Sequence, residues 1–217
     1  MFALRIGLFE LAQVPWHVVM RKGKKLGQAP ALSAGLWGQW LNFLGQTCGA
    51  RLKVIVAFTG YFGLRTGEAV ALKKEDIHID GDIPKICVKG EVPGSKKSPG
   101  DVYIRKRHLA WVRKLMKHGI TTERTKKHKH GKGKEKKITF QDKYTVPEKG
   151  WMFPARAKAT AGHVCYHAVY AQIKRAAPLF LKHLKQQGKK HSPDVGKLRP
   201  HSGHVVVVQC FSLVHAW

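Results

Sequence analysis

The chain has 217 residues, enough for one medium domain, or for a small helical domain followed by part of a larger one, and too few for more than two independent cores. Forty Lys plus Arg stand against thirteen Asp plus Glu, a formal net charge of +27. That excess goes far beyond what solubility needs and points to a polyanionic partner, nucleic acid ahead of an anionic membrane surface, with salt-sensitive binding.

The N-terminal stretch MFALRIGLFELAQV is apolar, but Arg5 and Glu10 interrupt it and no small-residue cleavage site follows, so it reads as helix and not as a signal peptide. Residues 26–50 carry no charge, yet Gln28, Pro30, Gln39, Asn42 and Gln46 are costly in hydrocarbon, so no membrane span is predicted. Leu32, Leu36, Trp37, Trp40, Leu41 and Leu44 recur at three- and four-residue steps, the period of one helical face, and Gly49 ends that helix. A second apolar helix runs over residues 51–62 into Gly63. A third, short one begins near Thr66 with Glu68 in its first turn, where the helix dipole favours an acid.

Beyond Lys73 the pattern changes to strands over residues 77–80, 83–89 and 102–105, a small antiparallel sheet with a Gly/Pro/Ser-rich loop before its last strand. Helical spacing returns over residues 108–118. Residues 124–137, RTKKHKHGKGKEKK, hold eight Lys or Arg, two His and one acid with nothing apolar to bury, which predicts a mobile loop or insertion. Such a tract serves as a solvated charge run, a phosphate-tracking arm or a nuclear-import signal, and composition does not separate these. Residues 163–188 read as one or two helices with Pro178 as a break or kink. After RPHSGH the character shifts to Val205–Val208 and an almost uncharged tail.

Cys48, Cys87, Cys165 and Cys210 are widely spaced without a C-x-x-C pair, the pattern of buried free thiols in a reducing, intracellular compartment, nuclear if the host is eukaryotic. His163 and His167 flank Cys165 four residues apart, as on one helix face, but have no glutamate between them and no distant third ligand. His128 and His130 sit among lysines that would repel a cation, and no metal is expected at either place.

The informative stretch is residues 58–77, FTGYFGLRTGEAVALKKEDI, where Arg65 stands at a tight helix-to-helix junction among Gly60, Gly63 and Gly67. A guanidinium held there can turn into a groove and donate two hydrogen bonds to two phosphate oxygens. The stretch resembles the first arginine box of the tyrosine recombinases, the phage-integrase family, with Arg65 at the catalytic arginine and Glu68 at the box's acid. The resemblance covers about residues 31–204. It implies Lys96 or Lys97, in the loop GSKKSPG, as the hairpin lysine that protonates the departing 5′ oxygen, and His201 as the histidine of the second box, His-x-x-Arg. His204 stands where the second arginine belongs; a mostly neutral imidazole there gives up a permanently charged donor, at a cost of about a hundred- to a thousandfold in rate.

The family's nucleophilic tyrosine follows the second box, whereas Tyr61, Tyr103, Tyr144, Tyr166 and Tyr170 all precede His201. Without that residue a 3′-phosphotyrosyl intermediate cannot form on this chain alone. The expected fold is therefore mainly helical α+β, recombinase-catalytic-domain-like, with a small antiparallel sheet and the C-terminal helices missing. Residues 1–30 would be the remnant of a DNA-binding arm, 31–204 the domain with a basic insertion at 121–143, and 205–217 an atypical apolar tail. The implied function is duplex DNA binding of the recombinase type, catalytically incomplete, with no cofactor, and with self-association on DNA as the family's habit. A non-catalytic basic nucleic-acid-binding protein is the alternative. Arg65, Lys126, Lys127, Lys129 and Arg199 are the expected DNA contacts, and Arg65, Lys96, Lys97, His201 and His204 the expected catalytic set.

Overall fold

A computed structural model describes residues 32–89, 100–130, 134–155, 162–188 and 193–198, with only the backbone described over 126–130 and 134–137. The N-terminal segment, the loop with Lys96 and Lys97, and the stretch from Arg199 through the tail lie outside these residues.

Helix α1 (Ala34–Cys48) starts where the Ser33 hydroxyl accepts the Leu36 N–H, and it buries Trp37, Trp40, Leu41 and Leu44 on one face. Gly49, at φ 109°, turns the chain into α2 (Ala50–Phe62), a conformation that a side chain would strain. Nearly every residue of α2 is buried, from Leu52 to Phe62, so the remaining elements pack around it. Gly60 stands in its last turn, where the Trp37 indole lies against the backbone and occupies the space a Cβ would need. Gly63, left-handed at φ 66°, ends α2, and the short α3 (Thr66–Val70) follows.

The three-stranded antiparallel sheet is small, in the order β1 (Ile77–His78), β2 (Lys85–Val88), β3 (Gly100–Tyr103). Its register sets Ile77 against Ile86 and Ile86 against Val102, with Ile86 fully buried. β1 and β2 are shorter than the runs 77–80 and 83–89, and β3 has the length of the run 102–105 but starts two residues earlier. Helix α4 (Lys106–His118) starts two residues before its expected run and seats Val112 and Leu115 in the core, ending at Gly119. Phe58 of α2 meets the Trp111 ring of α4 at 5.7 Å and the Phe153 ring at 6.2 Å.

The largest departure from expectation follows. Residues 124–130 and 134–137 belong to a long hairpin, β4 (Ile120–His130) paired antiparallel with β5 (Lys134–Tyr144) through eleven residue pairs, in place of the expected mobile loop or insertion; residues 131–133 lie outside the described residues. Its base explains why: Thr122 is buried and its hydroxyl donates to the Gly45 carbonyl at 3.3 Å. Asp142 Oδ2 accepts the Ala50 N–H at 2.7 Å, and the buried Tyr144 donates to the Met152 carbonyl. Gly119 lets β4 begin there, since a Cβ would strike the Tyr144 carbonyl.

Helix α5 (Tyr166–Gln186) is one helix that runs through Pro178 instead of breaking there. Pro178 is exposed, so the Lys174 carbonyl that loses its donor can meet water. The opposite face buries Val169, Ile173, Ala176, Ala177, Phe180 and Leu184 against α1, where Phe180 lies 5.1 Å from Trp40 and 5.2 Å from Phe43. The result is mainly helical α+β with two separate antiparallel sheets. Among the described residues no helix is long and apolar enough to cross a membrane.

Two smaller expectations are corrected. Among the described residues no cysteine is fully buried: Cys165 is exposed at the start of α5, and Cys48 and Cys87 are half-buried, all three as free thiols, while Cys210 lies outside the described residues. His163 and His167 do not share a helix face, because α5 begins only at Tyr166 and His163 forms an isolated bridge with Pro154.

Candidate nucleic-acid interface

Arg65 is the residue around which a site can be built. Its neighbours Leu64 and Thr66 are each only 1 % exposed, while Arg65 itself is exposed, so the backbone is clamped on both sides and only the guanidinium side chain reaches out. Arg65 is the N-cap of α3, with φ −67° and ψ 152°. Its own side chain carries only donors and cannot cap; instead Glu68 Oε2 reaches back to accept the Arg65 N–H at 2.8 Å. Glu68 therefore positions Arg65 through the backbone. Among the described residues the Arg65 guanidinium makes no ion pair, and Glu68 Oε1 and Thr66 Oγ1 are buried without a hydrogen-bond partner.

Helix α4 brings more charge to this end of the molecule. His108 stacks on Tyr61 at 4.6 Å and meets Phe62 edge-on, and these two belong to the last turn of α2, just ahead of Arg65. The N-terminal turn of α4 thus lies at the Arg65 end of α2. It carries Arg105 at its cap, Lys106 and Arg107, with no acid in the first turn. Burial, then Arg107 and Arg105, push the His108 imidazole down to about 4, so it is neutral near pH 7, and the two arginines act on it as a positive field. Farther along the same helix Arg113, Lys114, Lys117 and His118 are exposed. The sequence reads as a basic helix end here, but these cations were not among the expected contacts; the burial of Val112 and Leu115 at helical spacing assigns them to the outer face.

The family's Asp-Ile follows as Asp76-Ile77. Asp76 is 4 % exposed; its Oδ2 accepts the Lys73 N–H at 2.9 Å and its Oδ1 pairs with Lys89 Nζ at 2.8 Å. That pair fixes the strand end from which the loop with Lys96 and Lys97 departs. Lys96, Lys97, Arg199, His201 and His204 themselves lie outside the described residues, so Arg65 is the one member of the expected catalytic set with a described position.

Lys126, Lys127 and Lys129 lie in β4 and face β5 residues Ile138, Lys137 and Glu135 in register. They enter the fold through a different end of α2 from Arg65. The hairpin is anchored at Ala50, the start of α2, whereas Arg65 follows its end, and a helix of 13 residues separates the two by about 20 Å. Among the described residues no group of three or more His, Cys, Asp or Glu is placed to hold a metal ion.

No protein-family model matches the chain, and no curated protein does. Among solved structures it is similar to the XerH site-specific recombinase bound to difH substrate in a pre-cleavage complex, with 14% identity, 85% of this chain and 44% of that chain covered, and a TM-score of 0.45. It is also similar to the integrase from mycobacterium phage Brujita (17% identity, 88% and 47% covered, TM-score 0.45) and to the XerA recombinase (13% identity, 89% and 55% covered, TM-score 0.45). The chain spans less than half the length of the first of these.

Proposed function

We propose that this chain binds duplex DNA by its phosphate backbone, with the Arg65 guanidinium gripping one phosphate in the manner of the arginine box it resembles. The observation that carries the reading is the build of Arg65: an exposed fork on a backbone clamped by buried Leu64 and Thr66 and locked by Glu68. Preorganisation of this kind spares the ordering cost of the backbone that carries the side chain. Lys106 and Arg107 on α4 supply neighbouring phosphate contacts. Lys96 or Lys97, Arg199, His201 and His204 would complete the set as the resemblance implies.

Strand cleavage is not part of the proposal for these residues. Of the five tyrosines, Tyr144 is buried with its hydroxyl given to Met152, and Tyr61 is packed between His108 and Trp111. His204 offers at most an imidazole where a second guanidinium is needed.

Binding of a labelled duplex, followed by fluorescence anisotropy over a salt series, tests the reading. Loss of a charged bidentate contact in Arg65→Ala should weaken binding by about ten- to a hundredfold, with Arg65→Lys in between. Wild-type affinity and an unchanged salt slope for Arg65→Ala would overturn it. A nicked suicide duplex tests the second half: a covalent protein–DNA adduct would overturn binding without cleavage, and peptide mapping would name the tyrosine.

A further inference from the structure

The outer part of the β4–β5 hairpin has a build that folding does not explain. The base is fixed by Thr122, Asp142 and Tyr144, but pairing continues for six further residue pairs beyond Arg124↔Phe140, out to His130↔Lys134. The paired residues 126–130 and 134–137 include six lysines, two histidines and one glutamate. Register sets Lys127 opposite Lys137 as a like-charged pair, His128 opposite Lys136 and His130 opposite Lys134 without an acid on either side, and Lys129 opposite Glu135 as the complementary pair. Like charges directly opposite destabilise a ribbon, and a two-stranded ribbon without an apolar face is marginal in water. The apolar member of these outer pairs, Ile138, is itself exposed. Eleven pairs extend about 36 Å at roughly 3.3 Å per residue, too long for a tight connection between α4 and the segment that carries Trp151.

We infer that this hairpin is a β-ribbon arm whose outer half enters the major groove of a DNA duplex, where the phosphates on both walls offset its self-repulsion. Shape selects the ligand. The major groove of B-form DNA is about 12 Å wide and admits a two-stranded ribbon, whereas the A-form major groove of duplex RNA is deep and too narrow. The arm's anchor stands about 20 Å from Arg65 along α2, so the two are separate parts of the chain and can be tested separately. The inference rests on the DNA-binding reading for its ligand, but it places the contact at a different part of the chain.

The test uses the full chain and the quadruple variant Lys126→Gln/Lys127→Gln/Lys136→Gln/Lys137→Gln, read by anisotropy over a salt series with three probes. These are a plain DNA duplex, the same duplex carrying glucosylated 5-hydroxymethylcytosine, whose bulk fills the major groove, and an RNA duplex of matching sequence. For plain DNA the quadruple variant should lower the slope of log K against log salt by about 2 to 4, since each lost phosphate contact removes about 0.9, whereas Arg65→Ala should lower it by about 1. Wild type should bind the glucosylated and RNA duplexes at least tenfold more weakly than plain DNA, and the variant should show little of that difference. Thermal melting should leave the variant as stable as wild type or more so, because opposed charges are removed. An unchanged slope in the variant, or equal wild-type affinity for all three duplexes, overturns the arm. A full effect of the arm with a silent Arg65→Ala keeps the arm and removes the Arg65 reading; the reverse result removes the arm alone.

Discussion

Helix α2 is the centre of the core, yet its N-terminus has no capping side chain of its own. Its N-cap is Gly49, which makes no side-chain hydrogen bond, and Asp142 from β5 supplies the missing acceptor to the Ala50 N–H at 2.7 Å across 92 residues of sequence. The carboxylate also brings a negative charge to the positive end of the helix dipole. Asp142→Ala removes both. Loss of a helix cap costs about 0.5–2 kcal/mol and loss of a hydrogen bond to a charged group about 1.5–3. We therefore expect a loss of about 2 kcal/mol, or about 4–8 °C in Tm for a chain of this size. Asp142→Asn keeps an oxygen acceptor and gives up only the charge, so it should lose under about 1 kcal/mol. Urea titration followed by far-UV circular dichroism reads both, with the m-value checking that the transition stays two-state. If Asp142→Ala unfolds within about 0.5 kcal/mol of wild type, or if the Asn variant is the weaker of the two, the cap does not hold α2 as described.

Two further variants probe the Arg65 end. His108 is held to about 4 in the fold against 6.5 as an ordinary imidazole, so between those values the unfolded chain binds the extra proton; stability should fall as pH drops from about 6.5 toward 4. One proton gives a slope of at most about 1.4 kcal/mol per pH unit, less where solvent screens the site; His108→Phe should flatten that part of the profile in pH-dependent melts, and an unchanged profile would sink the assignment. Lys106 stands at the positive end of α4, with no acid in that turn, so Lys106→Glu should stabilise the fold by about 0.3–1 kcal/mol while weakening duplex binding several-fold. A variant that loses both stability and affinity would refute the opposition between the two.

Local signals in the sequence were sufficient for the described helices between Ala34 and Val70. Apolar residues at helical spacing located α1 and α2, Gly49 and Gly63 marked their ends, and the arginine box fell at the junction where Arg65 is exposed between buried neighbours. The hairpin was illegible because its outer strands carry almost no apolar alternation; they are specified by register with each other and by a base whose partners, Gly45 and Ala50, lie far away in sequence. The same holds for Gly60, which looks like part of a motif but is also required by the Trp37 ring from the preceding helix. Pro178 read as a break because propensity counts the missing N–H; the buried row from Val169 to Leu184 overrides that local cost. Of the proposed phosphate contacts, the resemblance to the arginine box pointed to Arg65, whereas the exposed face of α4 needed knowledge of which side is covered.

The attachment of the hairpin also has a kinetic side. The ribbon pairs residues close in sequence and can close within microseconds, whereas the Asp142–Ala50 and Thr122–Gly45 contacts bridge 92 and 77 residues and form only once α1 and α2 have come together. An assembled corner gives the lysine-rich strands a fixed direction. In a nascent or locally opened chain the same strands would be a tethered polycation, attracted to any nucleic acid at hand and indifferent to groove shape. Selectivity for duplex form would then be acquired late in folding and lost early in unfolding, ahead of affinity itself.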